Sequence, residues 1–219
     1  MFDISIQISA IADIILNIDK SLAYVLQTYG TWVYAILFFI IFAETGLVIA
    51  PFLPGDSLLF LIGAFCASGN MDLSLSLIGL FTSAVLGNTC NYYIGRWIGT
   101  KIHDTSKYKS INRQYIHKTE KFFEKHGGKA VVMSRFLPLF RTFVPFVAGI
   151  SKMNVKMFQL YNIMGAGIWV ASFITLGYFF GNIQFIKENL NSIVLIGFAA
   201  AVIPLISAAV LKKFKKIKI

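Results

Sequence analysis

TWVYAILFFIIFAETGLVIAPFLPGDSLLFLIGAFCA (31–67) is an unbroken apolar run except for Glu44, Pro51, Pro54 and Asp56. As one straight helix it would be about 55 Å long at a rise of 1.5 Å per residue. The hydrocarbon core of a bilayer is only about 30 Å thick. The run must therefore turn back on itself. PFLPGD (51–56) marks the place. Pro51 and Pro54 lack an amide donor and disfavour helix in the residue before them, and Gly55 permits a sharp turn. The expectation is a helix, a break and a second, shorter helix: a re-entrant hairpin.

The composition agrees with a bilayer environment. The 219 residues are 57% hydrophobic and 14% charged, with a mean hydropathy of +0.71. A soluble domain carries about 25% charge, so a soluble globular enzyme and a disordered chain are both excluded. Twenty Lys+Arg stand against ten Asp+Glu. These bases are spread beside apolar segments and form no basic module, which argues against nucleic-acid binding. They fit cytoplasmic loops under the positive-inside rule. Cys66 and Cys90 have no disulfide or metal-ligand spacing, and His103, His117 and His126 fall in a polar loop without an HExxH pattern. No metal and no cofactor is expected. MFDISIQ at the start lacks the positive region of a signal peptide.

Working outward, Ile4, Ile8, Ile11, Ile15, Ile18, Leu22 and Val25 form one helical stripe with Asp13, Asn17 and Lys20 on another face. Residues 1–30 are thus expected as an amphipathic interfacial helix. Residues 73–95 are charge-free and long enough to span, and end at Tyr92, Tyr93, Arg96 and Trp97. Residues 96–129 carry nine Lys/Arg against Asp104, Glu120 and Glu124, with a short helix expected from about Asn112 to His126. Residues 130–151 are apolar but interrupted by Arg135, Pro138, Arg141 and Pro145, which predicts a second re-entrant hairpin. Residues 157–181 and 189–211 read as two spans, and KKFKKIK (212–218) as a cytoplasmic tail. With the tail inside, every basic segment falls inside only if 130–151 is re-entrant.

Gly63, Gly79 and Gly95 recur in equal steps, as do Gly149, Gly165 and Gly181. Each set follows a proline-broken segment, and a hairpin plus one span is an odd number of crossings. Two such units would be inverted, a frequent build in transporters. The predicted fold is an all-α polytopic membrane protein with two opposed re-entrant hairpins, about three full spans and an inverted repeat. Its parts are the interfacial helix 1–30; the core 31–181, comprising 31–95 (first hairpin plus span), 96–129 (basic cytoplasmic loop) and 130–181 (second hairpin plus span); and 182–219, a C-terminal span and Lys-rich tail. Pro51, Pro54, Gly55, Pro138 and Pro145 are the expected hairpin-shaping residues.

Four ionisable residues fall inside the apolar stretches: Glu44 and Asp56 in the first hairpin, Arg135 and Arg141 in the second. Each charge at the bilayer centre costs on the order of 2.5–3.5 kcal/mol, so none should face lipid. If the hairpins meet, two carboxylates can pair with two guanidiniums. That pairing either locks the hairpins together or makes a polar site. Guanidinium matches phosphate oxygens bidentately, which makes Arg135 and Arg141 the candidate binders of a phosphate headgroup. A carboxylate away from water takes up a proton more readily than one in solution, which makes Glu44 and Asp56 the candidate proton-coupling residues. No catalytic residue is expected. A lipid phosphatase would need His where SRxxxxxH ends, and that position is Arg141.

ETGLVIAPFLPGDSLL (44–59), GNTCNYYIGRWIG (87–99) and FFEKHGGKAVVMSRFLPLFRTFVPFVAGISKMNVKMFQLYNIMGAGIW (122–169) resemble the DedA family of SNARE-associated/VTT-domain membrane proteins. The four charged motif positions are filled by Glu44, Asp56, Arg135 and Arg141, while Asn88 stands where many relatives carry Asp. The resemblance implies a multi-pass protein of the bacterial inner membrane with two facing hairpins. It also implies a role in lipid trafficking driven by the proton-motive force, including the return of undecaprenyl phosphate across the membrane. The expected partners are membrane phospholipids, a polyprenyl phosphate and protons. Small-residue runs at 165–171 and 197–201 allow the close packing a homodimer would use. The alternatives are an energy-independent lipid scramblase, a proton/cation antiporter and a structural assembly factor.

Overall fold

The computed structural model describes residues 18–47, 55–104, 128–137, 140–181 and 183. All described elements are helical, with no strand among the described residues. They are α1 (Ile18–Tyr29), a 3-10 turn (Gly30–Trp32), α2 (Val33–Gly46), α3 (Gly55–Ala67), α4 (Leu73–Asp104), α5 (Lys129–Ser134), α6 (Phe140–Ile150) and α7 (Val155–Phe180). The interfacial stripe at 1–17, the tip 48–54 with Pro51 and Pro54, Pro138, the loop helix expected near 112–126 and the span expected at 189–211 lie outside the described residues.

Among the described residues three helices are long and apolar enough to cross a membrane: Tyr24–Gly46, Leu73–Thr100 and Val155–Phe180. The second and third match the expected spans, although α4 runs past Arg96 into the segment read as loop. The first is a departure. The sequence reading ended an interfacial helix at residue 30, but only a 3-10 turn separates α1 from α2, and the run from Tyr24 is continuous enough to cross. By contrast, α3 and α6 have 13 and 11 residues, about 20 and 16 Å of helix. Both are too short to span.

The caps are legible locally. Asp72 accepts from the Leu75 amide at 2.7 Å, and its own amide donates to the Tyr34 hydroxyl at 2.7 Å, tying the start of α4 to α2. Asn154 caps α7, its side-chain oxygen accepting from the amides of Lys156 and Met157 at 3.0 and 3.2 Å. Pro145, expected to shape the hairpin break, lies inside α6 instead. There it withholds the amide that would otherwise bond the Arg141 carbonyl.

Each short helix packs on the long helix of the other half. A methyl group on Gly63 of α3 would strike the Ile174 carbonyl of α7, and one on Gly177 would strike the Phe60 carbonyl of α3. The same pattern recurs between α6 and α4: Gly149 abuts the Tyr92 carbonyl and Gly95 the Phe146 carbonyl. Small residues here let backbones approach closely. Gly63 and Gly149 thus make the same kind of close contact, and so do Gly177 and Gly95, whereas the equal spacing had set Gly95 beside Gly181. Gly79 meets nothing within 4 Å and has no packing role. Within the halves, α2 lies against α4, where Ser83 Oγ donates to the Phe38 carbonyl at 2.6 Å, and α5 lies against α7 at Gly165.

These contacts fix the direction of the pieces. The starts of α3 and α6 meet in the middle of the bundle, and their ends point to opposite ends. The buried core is Leu59, Ile62, Trp169 and Ile174 with their neighbours, while Phe39, Ile78, Leu160 and Phe179 are exposed. That exposed apolar shell is what a lipid solvent requires.

Candidate functional site at the meeting of two broken helices

Glu44 lies in the last turn of α2, Asp56 in the first turn of α3, Arg141 in the first turn of α6 and Trp169 in the middle of α7. They converge. The Arg141 guanidinium donates through Nη1 to Asp56 Oδ1 at 2.8 Å and through Nη2 to Glu44 Oε1. Trp169 Nε1 donates to the same Asp56 Oδ1 at 2.8 Å, and the Arg141 Cζ stands 5.5 Å from the Trp169 ring centroid. Glu44 is 0% exposed and Arg141 4%, but the Asp56 side chain is 31% exposed. Asp56 is therefore the open side of the triad.

The backbone explains why these charges are tolerated. A cation in the first turn of a helix opposes the helix dipole, and an anion there is favoured. Asp56 gains from its place on α3, while Arg141 must be held by other groups, and two carboxylates hold it. The Gly55 amide at the start of α3 donates to Glu44 Oε1 at 3.1 Å. A methyl group at Gly55 would run into the Glu44 carboxylate. Gly55 is thus needed for close approach as much as for a turn. Glu44 Oε2 is buried and has no hydrogen-bond partner among the described residues.

Arg135 departs from the sequence reading. It is buried at the C-terminal end of α5, but it does not join the acids. Its Nη2 donates to Asn162 Oδ1 at 2.6 Å and to the Ala84 carbonyl at 3.3 Å, and its Cζ is 5.9 Å from the Trp169 centroid. The expected two-by-two pairing is in fact one guanidinium between two carboxylates, with the second guanidinium also beside the indole but bonded to neutral oxygens. Neutral oxygens replace the second acid pair because α7 presents Asn162 where Arg135 enters.

Sequence reasoning missed the neutral groups. Asn91 Nδ2 donates to the carbonyls of Thr45 and Thr142 at 3.2 and 2.7 Å, tying α2 to α6 beside the triad. Asn162 Nδ2 reaches the Val85 carbonyl, Thr89 Oγ1 and Gln159 Oε1 at 3.1, 3.3 and 3.2 Å. Their signal was weak: each is a polar side chain in an apolar helix, the type that hydrogen-bonds across helices. Among the described residues no cluster of His, Cys, Asp or Glu could hold a metal.

The chain matches the model of the VTT domain over residues 53–179. It is 45% identical over 194 residues to Protein DedA of Escherichia coli K12, covering 88% of this chain and 89% of that one. It is 37% identical over 170 residues to a membrane protein of Mycobacterium leprae, covering 78% and 76%. It is 38% identical over 148 residues to Inner membrane protein YqjA of Escherichia coli, covering 68% and 67%. No solved structure matches the chain. The chain belongs to the DedA family of VTT-domain membrane proteins.

Proposed function

We propose that the chain is a proton-linked lipid transporter of the bacterial inner membrane that moves a phosphate headgroup, either undecaprenyl phosphate or another phospholipid, while its tails stay in the bilayer. The observation that carries this reading is Arg141 held between Glu44 and Asp56 where two short helices begin. A guanidinium suits a phosphate as well as it suits two carboxylates. In the resting state the carboxylates occupy it. Protonating one of them vacates one edge of the fork for a phosphate oxygen. Glu44 Oε2 is the position for that proton, and half-open Asp56 is the route by which it arrives. Arg135, whose Cζ also lies 5.9 Å from the Trp169 centroid, adds the second positive charge a phosphomonoester needs. Apart from the proton taken up and released by the carboxylate, the cycle makes and breaks no covalent bond, so the activity is transport and not an enzyme reaction.

The two short helices are, in this reading, the arms of two re-entrant hairpins opening to opposite sides. The mirrored pairs Gly63–Ile174 and Gly149–Tyr92 support an inverted repeat with the site at its centre. The C-terminal tail is cytoplasmic. One proton per cycle at 100 mV supplies about 2.3 kcal/mol, a bias of about fiftyfold at roughly 1.4 kcal/mol per factor of ten.

The test is flux of undecaprenyl phosphate in proteoliposomes with and without a pH gradient. Movement stimulated by the gradient supports the proposal. Movement indifferent to it supports a scramblase, and no movement of any lipid overturns the transport reading.

A further inference from the structure

A cavity of about 480 Å³ opens away from the central site, where α4, the α6–α7 turn and the start of α7 come together. Among the described residues it is lined by Arg96, Lys152, Asn154, Val155 and Lys156. The carboxylates among the described side chains are Glu44, Asp56 and Asp72, and none of them lines it. Among the described residues, three cations thus face one cavity with no carboxylate lining it.

The placement of two of these cations is specific. Arg96 Nη1 donates to the Tyr92 hydroxyl at 2.9 Å; that hydroxyl donates to the Met153 carbonyl, and the Tyr92 ring stacks on Phe158 at 4.3 Å. The guanidinium is therefore held at the mouth and does not range through solvent. Lys152 has φ +51°, in the left-handed region that favours glycine. It is the residue after the last turn of α6: its amide bonds the Gly149 carbonyl, and the Met153 amide the Ala148 carbonyl. The end of α3 has the same two bonds, Gly69 to Cys66 and Asn70 to Phe65, but there the left-handed residue is Gly69, φ +76°. The fold needs no side chain at this position, and in one of two equivalent turns it carries a lysine at a conformational cost. Strain held at one of two matched sites points to a use for that side chain.

Polar side chains also lie on the helix faces that lead from the cavity toward the central site. Thr89 and Arg96, two turns apart, share a face of α4, and Val155, Gln159 and Asn162 share a face of α7. Along that seam Gln159 and Thr89 bond each other at 3.0 Å, both bond Asn162, and Asn162 bonds Arg135. A row of hydrogen-bonded polar side chains thus runs from Thr89 and Gln159, on the same helix faces as the cavity lining, to Arg135.

We infer that Arg96, Lys152 and Lys156 form a second anion site, a docking pocket for a phosphate ester at the basic end of the α4–α7 seam. As a waiting station for cargo it rests on the transport reading; as a binding site it does not. Phosphate oxygens suit Arg96 as a fork and the two lysines as point charges.

The test uses full-length protein in phosphatidylcholine nanodiscs with phosphatidic acid as probe, read as binding, with inorganic phosphate as competitor. Lys152→Gly removes a charge and relieves the backbone, so thermal stability is retained or rises. Together with Lys156→Gln it should weaken binding about tenfold or more, in the wild type and equally in an Arg141→Gln background. Millimolar inorganic phosphate that displaces the probe identifies a site for the phosphate group itself; resistance to it identifies one that needs the lipid as well. Either result supports the site. Binding unchanged by the two lysine substitutions, or abolished by Arg141→Gln alone, overturns it. A protein that binds through the lysines but moves no lipid would sink the transport reading and leave the pocket standing.

Discussion

Asp56 and Arg141 are bonded at 2.8 Å, and each is the second residue of its own short helix. Two helix beginnings are aimed at one another across the middle of the bundle, one carrying an acid and the other a base. The dipole that favours Asp56 disfavours Arg141, so the basic member depends on its acidic partners more than they depend on it.

Arg141→Leu leaves the Glu44 carboxylate buried and uncompensated, which costs about 3–5 kcal/mol. Adding Glu44→Gln should restore part of that loss. Unfolding in detergent of the two single variants and the double variant checks this, with a coupling clearly different from zero as the expected outcome.

Asn162→Leu removes the oxygen that accepts from Arg135 at 2.6 Å. Loss of a hydrogen bond to a charged group costs about 1.5–3 kcal/mol. The variant should reproduce the transport defect of Arg135→Gln, and the two together should be no worse than either alone. Flux through the double variant well below both single variants would show that Asn162 acts elsewhere.

Trp169→Phe keeps a ring beside both guanidiniums but loses the bond to Asp56. A loss of about 1.5–3 kcal/mol is expected, against about 3–5 kcal/mol for Trp169→Ala, which also empties the core. Melting temperatures of the two variants rank the two contributions.

Gly177→Ala drives a methyl group into the Phe60 carbonyl, whereas Gly79→Ala meets nothing. The first should cost about 1–3 kcal/mol. The second should be neutral, or stabilise by up to about 1 kcal/mol through helix propensity.

Glu44, Asp56 and Arg141 were legible because a charge in an apolar run costs too much to be incidental. The end of one helix and the start of a short one on either side of PFLPGD were legible from its prolines: α2 ends at Gly46 and α3 begins at Gly55. Arg135 was legible as buried but not as separate from the acids, because nothing in its own segment names Asn162 as its partner. Asn91, Thr89 and Gln159 could not be singled out, since a neutral polar side chain in a membrane helix is cheap enough to be common. Trp169 read as one of three tryptophans at interfaces or in the bundle; Trp32 and Trp97 are exposed, and Trp169 is 0% exposed at the centre. Pro145 misled for a simple reason: a proline inside a helix withholds a single amide, here the one facing the Arg141 carbonyl, and α6 continues past it to Ile150. The continuity of α1 with α2 was hidden by Gly30, whose φ of +52° is absorbed in a single 3-10 turn.

The central claim is that Arg141 exchanges its two carboxylates for a lipid phosphate. Undecaprenyl phosphate flux into proteoliposomes, driven by a pH gradient, tests it most directly when wild type is set beside folded Arg141→Gln. The account predicts gradient-stimulated flux through the wild type and background flux through the variant. Equal, gradient-stimulated flux through both would contradict it.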